Sequence, residues 1–136
     1  MSGARLAFAA TAESLAGTRF RLHGRDQASG VDCVGLVALA LARIGRTVVA
    51  PRDYGLRNRD CHHFLVRMTE VGFVAVSGPA STGDVVMAQP GPAQVHLLIV
   101  TRAGSYVHAH AGLGRVVITP GPLVWPELGC WRLGQD

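Results

Sequence analysis

The pattern of apolar and polar positions divides the chain into a helical first half and a strand-rich second half. Residues 4–16 are rich in Ala and Leu, which predicts an amphipathic first helix. A polar loop with several glycines follows over 17–31. From 34 to 41 the chain is apolar at nearly every position, which predicts a buried central helix. We expect this helix to end at Gly45.

Two further elements are predicted between the central helix and the strand-rich half. Residues 47–50 are mostly β-branched and precede Pro51, a pattern typical of a short strand. Asn58 is a suitable N-cap for a third helix over 59–71, and Gly72 is its expected end.

Short β-type runs alternate with Gly, Pro and Ser after residue 72. Because no helical pattern lies between these runs, they predict a mainly antiparallel meander. The fold class is therefore α+β, with N-terminal helices packed on a mainly antiparallel sheet of about five to six strands. The predicted strands are 73–76, 85–88, 95–101, 106–110, 116–119 and 131–133.

Composition narrows the possible function classes. The chain has 136 residues, which predicts one domain over 1–136. Its net charge is +4 and its 13 basic residues are all Arg, but they are scattered and aromatic residues are few. This pattern does not favour nucleic-acid binding, whereas a basic surface suits an anionic polymer. Three cysteines without a CxxC spacing do not predict a disulfide framework.

Targeting signals are not expected in this sequence. No apolar stretch is long enough to span a membrane. Residues 6–12 resemble a short secretory apolar region, but Glu13 ends it early, and the segment fits the first helix better. We therefore expect a protein made in the cytoplasm without a signal peptide.

Cys33 is the first candidate for chemistry. Asp32 is a good N-cap, which places Cys33 at the start of the central helix. The helix dipole and unpaired N–H groups there are expected to stabilise the thiolate. A lone cysteine is more often a small core residue, so a nucleophile needs a base elsewhere in the chain.

Three histidines in the predicted sheet are candidates for that base. His96 lies inside an apolar strand, and His108 and His110 lie two residues apart, on one face of the next strand. A hairpin loop over 102–104, with Gly104 in the left-handed conformation, sets His110 opposite His96 and His108 diagonal to it. A helix-capping cysteine with such histidines is the pattern of a Cys–His nucleophilic site.

These residues occur in segments that resemble the NlpC family of papain-like cell-wall cysteine peptidases. The segments follow the family's order and span about residues 4–120, and the second histidine follows the first by twelve (108 − 96 = 12). They are 17–20 (Gly-Thr-Arg-Phe), 32–37 (Asp-Cys-Val-Gly-Leu-Val), 83–86 (Gly-Asp-Val-Val), 96–100 (His-Leu-Leu-Ile-Val) and 107–109 (Val-His-Ala).

The resemblance implies a papain-like fold with the nucleophile at the N-terminus of the central helix. It implies Cys33 as nucleophile, His96 as general base and then acid, and His108 as the group that orients His96. It also implies hydrolysis of a stem-peptide amide in peptidoglycan, commonly next to D-glutamate. Neither a cofactor nor a metal is expected. The family's spacing selects His108 rather than His110 as the third residue.

Two departures from the family pattern fall near the expected substrate. Phe20 stands where the family commonly has Tyr, whose phenol helps to polarise the substrate, and Val34 stands where Ser is usual. The Cys33 N–H remains available as an oxyanion donor. Tyr54 is a candidate replacement phenol. Asp32 completes the residues that we expect in the substrate or oxyanion region.

The stretch Phe-Arg-Leu-x-Gly-Arg-Asp over 20–26 resembles the branch of the family encoded beside phage-tail or gene-transfer-agent genes. This resemblance implies phage-tail or gene-transfer-agent proteins as partners. It further implies packaging in a phage-like particle that acts on the cell wall.

Three other interpretations remain open at this stage. Residues 61–63 (Cys-His-His) are ligand types, but adjacent helical positions point about 100° apart, which argues against one shared metal. A non-catalytic tail or wall-binding module is favoured by Phe20 and Val34. An amidase or acyltransferase would use the same triad through a shared thioester.

Overall fold

The computed structural model describes residues 3–52, 62–92 and 94–134. Among these residues, none of the helices combines the length and hydrophobicity needed to cross a membrane. The elements, numbered in chain order, are the helices α1 (Gly3–Ser14), α2 (Cys33–Arg43) and α3 (His62–Glu70), and the strands β1 (Arg25–Asp26), β2 (Gly30–Val31), β3 (Phe73–Val76), β4 (Val85–Gly91), β5 (Gln94–Val100), β6 (Tyr106–His110), β7 (Arg115–Thr119) and β8 (Glu127–Leu133).

Six strands form one antiparallel sheet in the order β3-β8-β4-β5-β6-β7. The predicted α+β class and strand number are confirmed, and β4 to β7 form the expected meander. The last strand differs from a simple meander because it inserts between β3 and β4, where Cys130 pairs with both Val76 and Val86. Both edges of β8 are thereby hydrogen-bonded, which suits a strand whose Cys130 and Leu133 side chains are buried.

The two faces of the sheet carry different cores because successive strand residues point to opposite sides. Val85 and Ile99 belong to the large cluster that also contains helical residues such as Phe8, Leu36 and Leu41. Their neighbours in sequence, Val86 and Val100, belong to a smaller cluster with Cys130. The helices therefore cover one face, and the second face is left for loop segments.

The central helix α2 begins and ends as the sequence predicts. Its buried residues run from Val34 to Leu41, so the helix is held in the core. Gly45 follows with a φ of +86°, and the Arg46 N–H donates to the Leu41 carbonyl at 2.9 Å, which terminates the helix. The first residue of this helix, Cys33, is thereby fixed relative to the sheet.

Two further sequence predictions, both in the first half of the chain, differ from the structure. The loop over 17–31 contains a small hairpin, in which Arg25 pairs with Val31 and the Asp26 side chain accepts the Ser29 N–H at 2.8 Å. Residues 47–50 form no strand, because Val48 and Ala50 pack against the helical core instead of joining a sheet edge. The start predicted for α3 falls partly outside the described residues.

Candidate active site

Cys33 is the first residue of α2, and Asp32 holds that helix start in place. The Asp32 carboxylate accepts the Gly35 N–H at 2.8 Å, which confirms the predicted N-cap. It also accepts the His23 N–H at 2.8 Å and pairs with the Arg25 guanidinium at 3.0 Å. Asp32 is only 2% exposed. Its role in the structure is to position the helix start rather than to face solvent.

Gly35, two residues after Cys33, lies where the structure has no room for a side chain. A Cβ at this position would collide with the Gly24 carbonyl oxygen and crowd the Arg25 guanidinium. Arg25 in turn donates to the Pro51 carbonyl at 2.6 Å. The hairpin loop, the helix start and the segment after α2 are therefore tied together around the thiol.

The pKa of the Cys33 thiol is raised from its ordinary value to about 11. Burial is the main cause, and the negative charge of Asp32 adds to it. Hydrogen bonds from the backbone N–H groups of Leu97, Val34 and Cys33 lower the pKa, but by less. The prediction that the helix start stabilises the Cys33 thiolate is therefore wrong. Burial and the capping carboxylate raise the pKa by more than the helix N–H groups lower it.

The rings of His96 on β5 and His108 on β6 form a hydrogen-bonded pair. His96 Nε2 lies 3.0 Å from His108 Nδ1, and the rings cross at 84° with their centroids 5.1 Å apart. His108 is 2% exposed, whereas His96 is partly exposed and borders a cleft. His96 thus has a buried partner on Nε2, and within the described part of the chain its Nδ1 forms no hydrogen bond.

The second nitrogen of His108 also has a partner, since its Nε2 lies 2.7 Å from Thr119 Oγ1 on β7. If His96 accepts a thiol proton at Nδ1, its Nε2 must carry hydrogen and donate to His108 Nδ1. His108 then carries its own hydrogen at Nε2 and donates it to Thr119 Oγ1. One assignment of protons therefore satisfies all three groups and leaves His96 Nδ1 as a base.

Both histidines are held in the neutral form. Burial, followed by the charges of His108 and His110, lowers the pKa of His96 to about 3. Burial and His110 lower the pKa of His108 to about 4. If His96 acts as the base for Cys33, the neutral imidazole must take the proton from the neutral thiol during the reaction rather than before it.

His110 is directed differently from His108, although both lie on β6. Ile99 pairs with Val107 and Val100 with Tyr106, a register that sets His110 opposite His96 when extended along the strands. Gly104 has the predicted positive φ. The His110 Nδ1 nevertheless accepts the Leu113 N–H at 3.0 Å, and it is the diagonal His108 that bonds His96.

Cys33 lies beside the strand that carries His96, because the N–H of the next residue, Leu97, hydrogen-bonds to its sulfur. Among the described residues, no hydrogen bond joins the thiol to the His96 ring. Catalytic hydrogen bonds of this kind commonly tighten only when substrate is bound. The structure therefore places the thiol against the strand that carries His96, with no bond between the two side chains among the described residues.

The other residues that the sequence suggested for the site are near the helix start, in the core, or outside the described residues. Phe20 forms a bridge to Val31, two residues before Cys33, and its ring packs partly buried against the main core. Val34 is buried in that core and presents no side chain to solvent. Tyr54 lies outside the described residues, as do Cys61 and the side chains of the two histidines that follow it.

The Gly-Asp segment at 83–84 has a structural role. Asp84 is fully buried and accepts two hydrogen bonds from the Arg132 guanidinium, both at 2.9 Å. It also accepts the Ser81 N–H at 2.7 Å and contacts the Cys130 sulfur. This carboxylate joins β4 to the inserted strand β8.

Two residues of the site were missed by sequence reasoning. Thr119 ends β7 with no motif to mark it. Trp125 lies in the proline-rich segment between β7 and β8, and its ring makes edge-to-face contacts with both His96 and His108. Trp125 and His96 line one side of a cleft of about 220 Å³, together with Pro90, Gln94, His110 and Gly112. An aromatic residue between prolines was the only available signal.

Solved structures share the fold of this chain. The peptidoglycan hydrolase RipB from Mycobacterium tuberculosis is 23% identical, with a TM-score of 0.68, over 98% of this chain and 66% of its own. The NlpC/p60 domain of the peptidoglycan hydrolase SagA is 21% identical, with a TM-score of 0.65, over 95% of this chain and 98% of its own. The P60 domain of an antigen from M. avium subspecies paratuberculosis is 21% identical, with a TM-score of 0.61, over 96% of this chain and 93% of its own. The fold is therefore papain-like, as expected.

The family relationship rests on sequence. No curated protein sequence matches the chain significantly. The model of the NlpC/P60 family matches residues 17–121, a segment that includes Cys33, His96 and His108. Because the match covers more than half of the 136 residues, the chain belongs to the NlpC/P60 family.

Proposed function

We propose that this protein is a cysteine peptidase that hydrolyses a stem-peptide amide of peptidoglycan, with Cys33, His96 and His108 as its catalytic group. The observation that carries the proposal is the 3.0 Å contact between His96 Nε2 and His108 Nδ1. It leaves His96 Nδ1 as a base, on the strand whose Leu97 N–H contacts the Cys33 sulfur. Family membership, and the fold shared with the hydrolases RipB and SagA, support the substrate class.

The acylation step follows from the neutral forms of the two groups. As Cys33 Sγ bonds to the carbonyl carbon, His96 Nδ1 takes the thiol proton and the carbonyl π electrons move to oxygen. The resulting imidazolium keeps its Nε2–H bond to His108. When the tetrahedral intermediate collapses, the C–N bond breaks and His96 Nδ1 returns the proton to the leaving amine. A thioester on Cys33 remains.

Deacylation uses the same residues in the same order. His96 Nδ1 takes a proton from water as the water oxygen attacks the thioester carbonyl. The C–S bond then breaks, the acid product leaves, and His96 returns the proton to the Cys33 sulfur. His108 holds the ring orientation through both steps.

The N-terminus of α2 provides the donor that would stabilise the oxyanion. The Cys33 N–H lies at the N-terminus of α2 beside its own sulfur, and we expect it to donate to the oxyanion that forms on the substrate carbonyl oxygen. Phe20 offers no donor in place of the family's usual phenol. Loss of one such donor costs roughly a hundredfold in rate, so a slow enzyme is expected.

The resemblance supports two finer proposals. The scissile amide lies next to D-glutamate, as is common in this family. The enzyme works within a phage-like particle, in contact with tail or gene-transfer-agent proteins. A net charge of +4 suits an anionic wall polymer, whichever route delivers the enzyme.

A non-catalytic binding module is the second candidate. Phe20 and the raised pKa of Cys33 favour it, because each weakens one requirement of acyl transfer. The hydrogen-bonded pair of His96 and His108 favours the enzyme, because a binding module has no use for an oriented base. An acyltransferase or amidase would share the thioester and differ only in the acceptor or in the amide attacked.

Purified muropeptides, incubated with the protein and analysed by mass spectrometry, separate these functions. The peptidase yields two fragments whose masses sum to that of the substrate plus water, cut beside D-glutamate. An added amine acceptor would appear in the product of an acyltransferase, and loss of ammonia would mark an amidase. Intact muropeptides that nevertheless bind the protein would support the binding module.

A further inference from the structure

Residues 120–126, between β7 and β8, form a strap across the second face of the sheet. The Pro126 carbonyl accepts the Gln89 N–H of β4 at 2.9 Å. At the other end, Gly121 lies so close to the β5–β6 turn that a Cβ would meet the Gly104 carbonyl oxygen at 2.9 Å. Leu123 packs against the smaller core cluster between these two anchors. The strap is therefore attached to the sheet at both ends and along its middle.

Trp125 is the residue of this strap that reaches the histidine pair. Its ring centroid lies 5.8 Å from that of His96 and 5.7 Å from that of His108, at interplanar angles of 79° and 87°. Both arrangements fall within the favourable range for edge-to-face aromatic contacts. Trp125 borders the cleft at His96 and also a second, mostly apolar cavity of about 280 Å³ beside His108. Trp125 and His110 thus line both cavities, and the Trp125 ring also contacts both histidines of the pair.

We propose that Trp125 is a positioning residue that seals the His96–His108 hydrogen bond from water and so keeps His96 available as a neutral base. The proposal rests on the proposed peptidase function, but its physical content concerns the histidine pair alone. Trp125 also lies beyond the segment 17–121 that matches the family, so it is a residue outside the family's motifs.

Trp125 makes two opposing contributions to the pKa of His96. An indole face within about 6 Å attracts a cation and would favour imidazolium. Exclusion of water favours the neutral ring. Burial is the largest cause of the lowered pKa of both histidines, and the Trp125 ring contacts both of them, so we expect exclusion of water to be the larger contribution. Removal of the indole should therefore raise the pKa of His96.

Charged groups around His96 do not reverse the rise in its pKa that we expect when the indole is removed. The charges that act on its pKa come from His108 and His110 on β6, and both lower it. Other titratable groups on neighbouring elements of the described chain include Cys33 on α2, Arg115 opposite His110 on β7, and Glu127, which pairs with the same Ala88 as His96 does. None of them is among the causes that shift the pKa of His96.

The test is a titration of the histidine rings by NMR in the full-length protein and three variants. Trp125→Ala should raise the pKa of His96 by roughly one unit or more, and Trp125→Leu, which keeps apolar volume, by less. Val124→Ala is the matched control, since Val124 is the neighbouring strap residue and is 85% exposed. It should leave the pKa unchanged. Thermal unfolding of each variant shows which of them are folded.

The outcomes separate this proposal from the proposed function. An unchanged or lowered pKa of His96 in a folded Trp125 variant would overturn the proposal for Trp125. If the alanine variant does not fold, Trp125→Leu is the variant that tests it. An equal rise in Val124→Ala would also overturn it, because the effect would then belong to the strap in general. The titration needs no substrate, so absence of muropeptide cleavage would count against the peptidase and not against Trp125. In an active protein, Trp125→Ala should also move the acid limb of kcat/KM to higher pH.

Discussion

His96 Nε2 and His108 Nδ1 are 3.0 Å apart, although the two residues are diagonal rather than opposite neighbours on β5 and β6. The residue that the strand register sets opposite His96 is His110, and its Nδ1 is occupied by the Leu113 N–H. A diagonal pair can meet in this way because long or aromatic side chains span the 7–8 Å between diagonal positions. His108, and not His110, is therefore the hydrogen-bonded partner of His96.

Replacement of His108 should impair turnover far more than replacement of His110. His108→Ala removes the group that fixes the His96 tautomer, so we expect a fall in kcat of roughly tenfold or more with little change in KM. His110→Ala should have a mild effect, because this ring bonds the backbone of the following turn. Steady-state kinetics on a muropeptide measure both. The reverse ranking of the two variants would assign the orienting role to His110.

Thr119 should influence rate through His108. Thr119→Val removes the 2.7 Å partner of His108 Nε2, so the ring can bind its proton on either nitrogen. We expect a several-fold fall in kcat with unchanged KM, and recovery in Thr119→Ser, which keeps the hydroxyl. Equal activity of the valine and serine variants would show that this hydroxyl has no part in orienting the pair.

Phe20→Tyr should raise the rate. Phe20 packs near the helix start, and a phenol there would restore the donor that the family commonly has. The kcat of the variant, compared with that of the wild type at equal folded fraction, measures the gain. A fall in kcat with the fold preserved would mean that the pocket is shaped for Phe.

The pH dependence of kcat/KM should report a neutral resting pair. The pKa of His96 is lowered to about 3, mainly by burial, so its base form persists as the pH falls through the ordinary histidine value. We therefore expect kcat/KM to be unchanged between pH 7 and pH 5 and to reach half of its plateau only near pH 3. Because the pKa of Cys33 is raised, we expect no loss of activity on the alkaline side of neutrality. A steep alkaline loss near pH 7 would instead indicate a required imidazolium.

Much of the fold was readable from local sequence patterns. Strands β3 and β6 match their predicted bounds, and Asp32 and Gly45 frame α2 as expected, because alternation and capping are local properties. The insertion of β8 between β3 and β4 was not readable, because strand pairing over such separations leaves no local signal. The hairpin within 17–31 was missed because its strands are only two residues long.

The contact between the two histidines was predictable from the sequence, whereas the electrostatics at Cys33 were not. The twelve-residue spacing selected His108 correctly as the partner of His96, whereas hairpin register alone favoured His110. The pKa of Cys33 was predicted in the wrong direction, because burial in the tertiary fold outweighs the helix start. Thr119 and Trp125 reach the histidines only through the tertiary fold, so neither was marked in the sequence.

The most direct test of the proposed mechanism is the mass-spectrometric yield of cleaved muropeptide for the wild type and for Cys33→Ser. Cys130→Ser serves as the control, because Cys130 is buried against Asp84 in the sheet. We predict cleavage by the wild type and by Cys130→Ser, and none by a folded Cys33→Ser protein. Cleavage that survives in Cys33→Ser would contradict the assignment of Cys33 as the nucleophile.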